Sequence, residues 1–87
     1  MITSQQMRAA RALLSIDQKR LAELAGVSLP TIQRMEASDG QVRGVVETLV
    51  KVVSALERAG AELIGENAPS QTGGRGVRLR QATAAQE

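Results

Sequence analysis

The sequence contains no cysteine, no histidine and no aromatic residue among its 87 residues. Without cysteine or histidine, a disulfide framework, a zinc finger, a thiol nucleophile and a histidine base are all excluded. Without aromatic rings, the core must be aliphatic, and modules that stack single-stranded nucleic acid on such rings are disfavoured. We expect no catalytic residue, no metal site and no cofactor, because every carboxylate has a simpler role as a helix cap or a solvated side chain.

Long apolar runs are also missing. No stretch approaches the roughly 18 consecutive apolar residues of a membrane span, and no basic segment followed by an apolar run opens the chain. These absences predict a soluble, cytoplasmic protein without a membrane partner. The formal net charge is only +2, so charge alone does not identify a nucleic-acid partner, although local basic clusters bind phosphates as well. So short an aliphatic chain has a small core, which favours oligomerisation.

What the sequence does contain is a pair of short helical patterns joined by a glycine turn, at residues 18–36. The apolar stripe of the first helix is Leu21, Ala22 and Ala25. Gly26 follows where a left-handed residue ends a helix at low cost. Ser28 is a natural N-cap for the second helix, and Pro30 fits its first turn. The pattern is typical of a DNA-binding helix-turn-helix, and an ordinary αα-hairpin within a helical bundle is the alternative.

This segment resembles the lambda-repressor-like, Cro-type (XRE) helix-turn-helix family. The matching positions are Gln18, Leu21-Ala22, Gly26-Val27-Ser28, Thr31-Ile32 and Met35-Glu36. The resemblance covers roughly residues 4–58. It implies a mainly α fold of four to five helices, in which the second and third helices contact DNA.

The resemblance makes residues 29–37 the recognition helix, which contacts bases through its first turn and outward face. The residues assigned to base contact are Leu29, Pro30, Thr31, Gln33 and Arg34. Leu29 and Pro30 depart from the polar pairs that the family usually has there. Direct readout then falls mainly to Gln33, which pairs with adenine, and to Arg34, which pairs with guanine. Packing of Leu29 against the preceding helix and a phosphate contact by Arg34 remain alternatives.

A second set of residues is assigned to DNA phosphates: Gln18, Ser28, Arg11 and Arg43. The resemblance implies that Gln18 also braces the recognition helix. It further implies a partly buried ion pair between Arg11 and Glu36, which informs register and packing more than stability. Gly26 and Glu36 therefore receive structural roles.

Two further helical patterns flank this segment. Residues 4–14 form the first, with Ser4 as its N-cap, and Asp17 caps the helix that follows. Residues 45–59 form the last helix, which Gly60 ends. Its predicted inner stripe is Val46, Leu49, Val53 and Leu56, widened by Val45, Val50 and Val52. Residues 1–60 are thus the predicted helix-turn-helix domain.

Residues 61–65 and 76–80 are predicted to form a short β-hairpin with a long loop rich in Gly, Pro, Ser and Asn. A lone hairpin is only marginally stable in water, so it must pack on the helices or pair with another subunit. We therefore predict that residues 61–80 are a dimerisation segment. The residues assigned to this contact are Leu63, Ile64, Val77 and Leu79. Residues 81–87 are small and polar, and are predicted to be disordered.

These features together predict a sequence-specific regulator of transcription that binds double-stranded DNA and has no enzymatic activity. One DNA-binding domain makes few contacts with DNA, so we expect a homodimeric repressor on a palindromic operator. The alternative belongs to another class. It is a protein-interaction module, such as an antitoxin or anti-activator, that has a protein partner and binds DNA only secondarily.

Overall fold

Four helices and two strands make up the fold in the computed structural model, which describes residues 2–66, 69 and 72–80. In chain order they are α1 (Ser4–Leu14), α2 (Gln18–Ala25), α3 (Leu29–Glu36), α4 (Val46–Arg58), β1 (Ala61–Ile64) and β2 (Gly76–Leu79). The two strands pair antiparallel. This confirms the predicted mainly α fold with a C-terminal strand pair. The predicted disordered tail, residues 81–87, lies outside the described residues.

The start of α1 corrects one sequence-based prediction. Thr3, not Ser4, is the N-cap: its hydroxyl accepts from the backbone N–H of Gln6 at 3.0 Å. The Gln6 side chain in turn accepts from the backbone N–H of Thr3 at 3.0 Å, which completes a capping box. Ser4 is buried in the first turn instead. The T-x-x-Q signature that marks this arrangement is present in the sequence at residues 3–6.

The caps predicted for the helix-turn-helix are confirmed. Asp17 accepts from the backbone N–H of Arg20 at 2.7 Å at the start of α2. Gly26 ends α2 with φ of 70°, a left-handed conformation that is strained for residues with a side chain. Ser28 accepts from the backbone N–H of Thr31 at 3.2 Å and so begins α3.

The core is aliphatic and draws on all four helices and β1. Its fully buried apolar side chains include Ile2, Met7, Ala10, Leu21, Ile32, Val52, Leu56 and Ala61. Because Ala61 belongs to β1, the hairpin shares the core of the helices. None of the described helices is long and apolar enough to cross a membrane.

The inner face of α4 differs from the prediction at its N-terminal end. Leu49, Val52 and Leu56 are buried, but Val46 and Val50 are 66% and 47% exposed. The predicted stripe was wrong there because valines occur on several sides of this helix, so periodicity alone does not select the buried side. The packing of α4 against α2 and β1 turns Val52 and Leu56 inward and leaves the other flank in solvent.

Two side chains fix the hairpin to the helices. The Gln6 amide nitrogen donates to the carbonyls of Ile64 and Gly76, each at 3.1 Å, and so holds the loop end of the ladder on α1. At the other end, the backbone N–H of Arg80 donates to Gly60 O at 2.7 Å, and its guanidinium donates to Glu57 O near the end of α4. The hairpin therefore packs on the helices of its own chain, one of the two arrangements that the sequence left open.

Replacing Gln6 with alanine is expected to lower the free energy of unfolding by about 1–3 kcal/mol, because the half-buried carbonyls of Ile64 and Gly76 and the backbone N–H of Thr3 lose a hydrogen-bond partner. Gln41 is exposed in the loop after α3, and Gln41→Ala is the matched control, with an expected change within about 0.5 kcal/mol. Urea titration of both variants measures the difference. Equal stabilities would show that the Gln6 amide does not anchor the hairpin.

Candidate nucleic-acid interface

One row of α3 faces away from the domain. Pro30, Gln33 and Arg34 are exposed, whereas Ile32 and Met35 are buried on the opposite side. Residues three and four apart lie next to each other on a helix, so the exposed positions form a continuous outward strip. The strip carries an amide and a guanidinium, the groups that pair with purine edges in the major groove.

The first turn of α3 is less available. Leu29 is half-buried and packs against the core. This agrees with the alternative in which its side chain packs within the domain. Thr31 is also half-buried, and its hydroxyl lies 2.8 Å from the Ser28 hydroxyl. Two of the five residues assigned to base contact, Leu29 and Thr31, are therefore partly engaged within the chain.

Glu36, the last residue of α3, joins three helices through one buried carboxylate. Arg11 on α1 donates to it through Nε at 2.6 Å and through Nη2 at 2.7 Å. Gln18 on α2 donates to the same carboxylate at 3.2 Å. Arg8 on α1 donates to the backbone carbonyl of Glu36 at 2.6 Å. This cluster fixes the end of α3 relative to α1 and α2.

The Arg11 guanidinium belongs to this cluster rather than to open solvent. Its hydrogen bonds to Glu36 raise the pKa of Arg11 above its ordinary value, and its Nη1 also donates to Ile16 O at 3.3 Å. The ion pair that the resemblance implied is thus present. Since a carboxylate already neutralises this charge, the geometry favours a positioning role for Arg11 over a phosphate contact.

Gln18 connects the N-terminus of α2 to the end of α3. Its side chain is half-buried, and its amide reaches the Glu36 carboxylate. The bracing role assigned to Gln18 therefore has a direct structural basis. Lys19, the next residue, is exposed at the same helix end.

A cleft of about 170 Å³ separates α3 from the segment that leads into α4. Its lining includes Thr31, Arg34, Arg43, Val45 and Thr48. Arg34 and Arg43 approach it from different elements, and both side chains are exposed. Two guanidiniums beside one cleft create a locally positive surface next to the outward strip of α3.

The partners of the basic residues distinguish this face from the rest of the surface. Ion pairs with carboxylates engage Arg11, Arg20, Lys51, Arg75 and Arg78. Backbone carbonyls near helix C-termini accept from Arg8, Arg58 and Arg80. Within the described part of the chain, the three cations with neither an ion pair nor a side-chain hydrogen bond are Lys19, Arg34 and Arg43. They flank the helix-turn-helix and are free to bind an anion. We name these three residues the free cations.

Two of the three arginines in the C-terminal segment, Arg75 and Arg78, pair with carboxylates of the same chain. Arg78 Nε lies 2.6 Å from a Glu62 carboxylate oxygen across the hairpin, which lowers the pKa of Glu62. Arg75 pairs with Glu66 at 3.6 Å. These pairs leave the hairpin less suited to binding phosphates than the face of α2 and α3 that carries the free cations.

Two positioning residues, Gln6 and Arg8, were not anticipated from the sequence. The capping-box signature at residues 3–6 could have identified Gln6, but its contacts with the hairpin span 58 and 70 residues of sequence. Arg8 binds a backbone carbonyl 28 residues away. Such a partner leaves no signal in residue types or spacing.

The fold and the exposed polar row of α3 define a DNA-binding helix-turn-helix domain. The model of the Helix-turn-helix family matches residues 7–63, more than half of the chain. The chain therefore belongs to this family, the lambda-repressor-like (XRE) helix-turn-helix proteins, as the resemblance indicated. It is a DNA-binding regulator of transcription, in a family that is typically not enzymatic. No curated protein matches the chain.

Proposed function

We propose that the chain is a homodimeric repressor that places α3 in the major groove of a palindromic operator in double-stranded DNA. The observation that carries this proposal is the outward row of polar side chains on α3, flanked by the free cations. A helix of this kind reads base edges in helix-turn-helix proteins. Occupancy of the operator blocks access of polymerase, and the protein acts in the cytoplasm.

Base contacts are assigned by exposure along α3. Arg34 pairs with guanine O6 and N7, and Gln33 pairs with adenine N6 and N7. Pro30 is exposed in the first turn and offers an apolar contact to a thymine methyl group. Leu29 and Thr31 contribute through the parts of their side chains that the core and Ser28 leave accessible.

Phosphate contacts are assigned to the ends of α2 and α3. Arg43 and Lys19 supply charge, and Gln18 and Ser28 supply polar groups at helix N-termini, where backbone N–H groups favour anions. Arg11 is left out of this set because its guanidinium is bound to Glu36.

A dimer is proposed because one DNA-binding domain can make only a few contacts with DNA. Four exposed side chains, those of Lys19, Gln33, Arg34 and Arg43, give one domain little specificity over random DNA. Two DNA-binding domains that bind half-sites about 34–36 Å apart double the number of contacts. The two-fold symmetry of the dimer then matches that of the operator.

Selection of bound duplexes from a random pool tests the proposal directly. We expect inverted half-sites whose centres are about 10–10.5 base pairs apart, or a multiple of that spacing. Enrichment of single, unrepeated sites would contradict the palindromic operator. No enrichment of duplex DNA over a non-binding control would contradict sequence-specific recognition altogether.

The salt dependence of operator binding tests the role of the free cations. Lys19 and Arg43, the two free cations assigned to phosphates, give about four neutralised phosphates per dimer and a log–log slope of about −4. Lys19→Ala is expected to reduce the magnitude of this slope by about 2, because each dimer loses two charges. Lys51, whose Nζ lies 3.7 Å from Glu47, supplies the matched control. Lys51→Ala should leave the slope unchanged, and equal effects of both variants would contradict the assignment.

The second candidate is a protein-interaction module, such as an antitoxin or anti-activator. Exposed Val45, Val46 and Val50 at the start of α4 favour it, because a partner helix or loop could cover them. A sedimentation measurement on the purified chain separates the two candidates. A homodimer supports the repressor, and a monomer or aggregate that only a co-expressed protein rescues supports the module.

A further inference from the structure

On the outer edge of β2, two residues have backbone groups without a partner among the described residues. The hydrogen bond from Arg80 N–H to Gly60 O fixes the phase of the antiparallel ladder. In such a ladder, successive residues direct their backbone groups alternately toward and away from the neighbouring strand. Arg78 pairs with Glu62 and is two residues from Arg80, so its backbone groups point toward β1, as those of Arg80 do. The N–H and C=O groups of Val77 and Leu79 therefore point away from β1.

This outer edge of β2 is more accessible than β1. Ala61 of β1 is fully buried, and β1 packs against both α1 and α4, whereas β2 packs against α1. In β2, Arg78 and Leu79 are exposed, and Leu79 retains 51% of its surface in solvent. An exposed strand edge is a ready template for pairing with another chain.

A groove of about 350 Å³ lies beside the same strand, between β2 and α1. Ala9 and Gln5 line it on the helix side, and Arg75, Gly76 and Val77 line it on the strand side. The groove thus adjoins the backbone groups that β1 does not use. Its position suits a strand that pairs with β2 and inserts one apolar side chain.

We propose that β2 pairs antiparallel with β2 of a second copy of this chain, about a two-fold axis at Val77. The result is one four-stranded sheet in the order β1-β2-β2-β1. The inference rests on the proposed homodimer and specifies its interface. A second copy is the occupant because the chain carries both halves of the contact: with this axis, Leu79 of each protomer lies opposite Arg75 of its partner, next to the groove.

The charges on the outer face of the hairpin favour this register. An axis at Arg78 would place two Arg78 side chains directly opposite each other, which is unfavourable for like charges. An axis at Val77 instead places each Arg78 opposite a Gly76, which has no side chain. Each Arg78 then keeps its ion pair with Glu62, at 2.6 Å.

The contributions of the four residues assigned to dimerisation differ accordingly. Leu63 and Val77 pack their side chains against the core of their own chain, so Val77 joins the interface through its backbone. Leu79 contributes both backbone and side chain. Ile64 is on the face that carries Glu62, away from the groove.

A substitution within β2 tests the edge more sharply than deletion of the hairpin, because deletion would also remove Ala61 and the carbonyls that Gln6 binds. Leu79→Pro removes an N–H that points away from β1, and proline is tolerated at such edge positions. We expect this variant to keep its helical circular dichroism and to sediment at half the mass of the wild type. Leu79→Ala keeps the N–H and is the matched control. We expect it to dimerise, although at a higher protein concentration than the wild type.

Cysteine crosslinking of the full chain reports the register without removing any backbone donor. The chain has no cysteine of its own. Opposite residues of a non-hydrogen-bonded pair have Cα atoms about 4.5 Å apart, within disulfide range. A Cβ at Gly76 would meet only Ile64 Cδ1, at 3.8 Å, so a side chain fits there. Mixing Gly76→Cys with Arg78→Cys, carried on chains with tags of different length, should yield the mixed crosslink on oxidation, and neither variant alone should crosslink.

The outcomes separate this inference from the proposed function. A wild-type chain that is monomeric at all concentrations and on DNA would overturn the homodimer and the strand pairing together. A dimeric wild type with a dimeric Leu79→Pro, or with no mixed crosslink, would overturn the strand pairing alone and point to another surface, such as Val46 and Val50. Crosslinking of Arg78→Cys alone would overturn the axis at Val77. Equal effects of Leu79→Pro and Leu79→Ala would show that the contact depends on the side chain.

Discussion

Replacing Glu36 with alanine is expected to lower the free energy of unfolding by about 3–5 kcal/mol, because it leaves the Arg11 charge partly buried without a partner. The Glu36 side chain is only 3% exposed, and the Arg11 side chain is 20% exposed. The same substitution removes the acceptor of Gln18, which ties α2 to α3. A small domain has a total stability of about 5–15 kcal/mol. Urea and thermal denaturation should therefore show a variant that is largely unfolded or close to it.

Two controls separate the buried charge from the loss of packing. Glu23→Ala removes a carboxylate that pairs with Arg20 at 3.4 Å with both side chains more than half exposed, and its expected effect is within about 1 kcal/mol. The double variant Arg11→Met/Glu36→Met removes both charges and keeps apolar volume. It should recover most of the lost stability, because replacing a buried ion pair with apolar residues is often close to neutral. A double variant as unstable as Glu36→Ala would show that the lost stability comes from the hydrogen bonds by which Glu36 positions the three helices, and not from the buried charge of Arg11.

The helix-turn-helix was predictable because its determinants are local. Asp17 and Ser28 act within three residues of their backbone partners, and Gly26 adopts the left-handed conformation that its position in the turn requires. The hairpin was predictable for a similar reason. Alternation of Val77, Arg78 and Leu79 indicates a strand whatever lies opposite, and the observed strands end within one residue of the predicted ranges.

The parts that sequence reasoning missed depend on distant partners or on a choice between similar residues. Gln6 binds carbonyls in the hairpin, and the pairing of Glu62 with Arg78 depends on a register that spans the loop. Along α4, Val46 and Val52 are chemically identical, yet one is exposed and the other fully buried. Only the placement of α2 and β1 against the helix decides between them. For the candidate site, residue type identified the cations, but their partners identified which of them are free.

Arg34 is expected to be the largest single determinant of operator specificity. It is exposed on the outward row of α3, lines the cleft shared with Arg43, and has no ion pair among the described residues. A bidentate contact to guanine contributes about 1–3 kcal/mol of discrimination. Because a dimer loses this contact in both half-sites, Arg34→Ala should weaken operator binding roughly 30- to 20,000-fold. Its loss should also flatten the base preference at one position of each half-site.

Arg34→Lys distinguishes a base contact from a phosphate contact, the two roles that the sequence left open. Lysine keeps the charge but lacks the planar fork that matches guanine O6 and N7. If Arg34 reads a base, Arg34→Lys should lose the base preference while keeping much of the salt-dependent, nonspecific affinity. If Arg34 binds a phosphate, Arg34→Lys should resemble the wild type in both respects. Competition titrations with the selected operator and with single-base variants of it measure the preference, and titrations over a range of salt concentrations measure the nonspecific part.

Two further arginines calibrate this result. Arg43→Ala should weaken all sequences about equally and reduce the salt slope, because Arg43 is assigned to the backbone. Arg20 is exposed on α2 but paired with Glu23, so Arg20→Ala should leave both affinity and preference close to the wild type. An Arg34→Ala variant that behaved like Arg20→Ala would show that Arg34 does not read the operator, and would leave that role on α3 to Gln33 and Pro30.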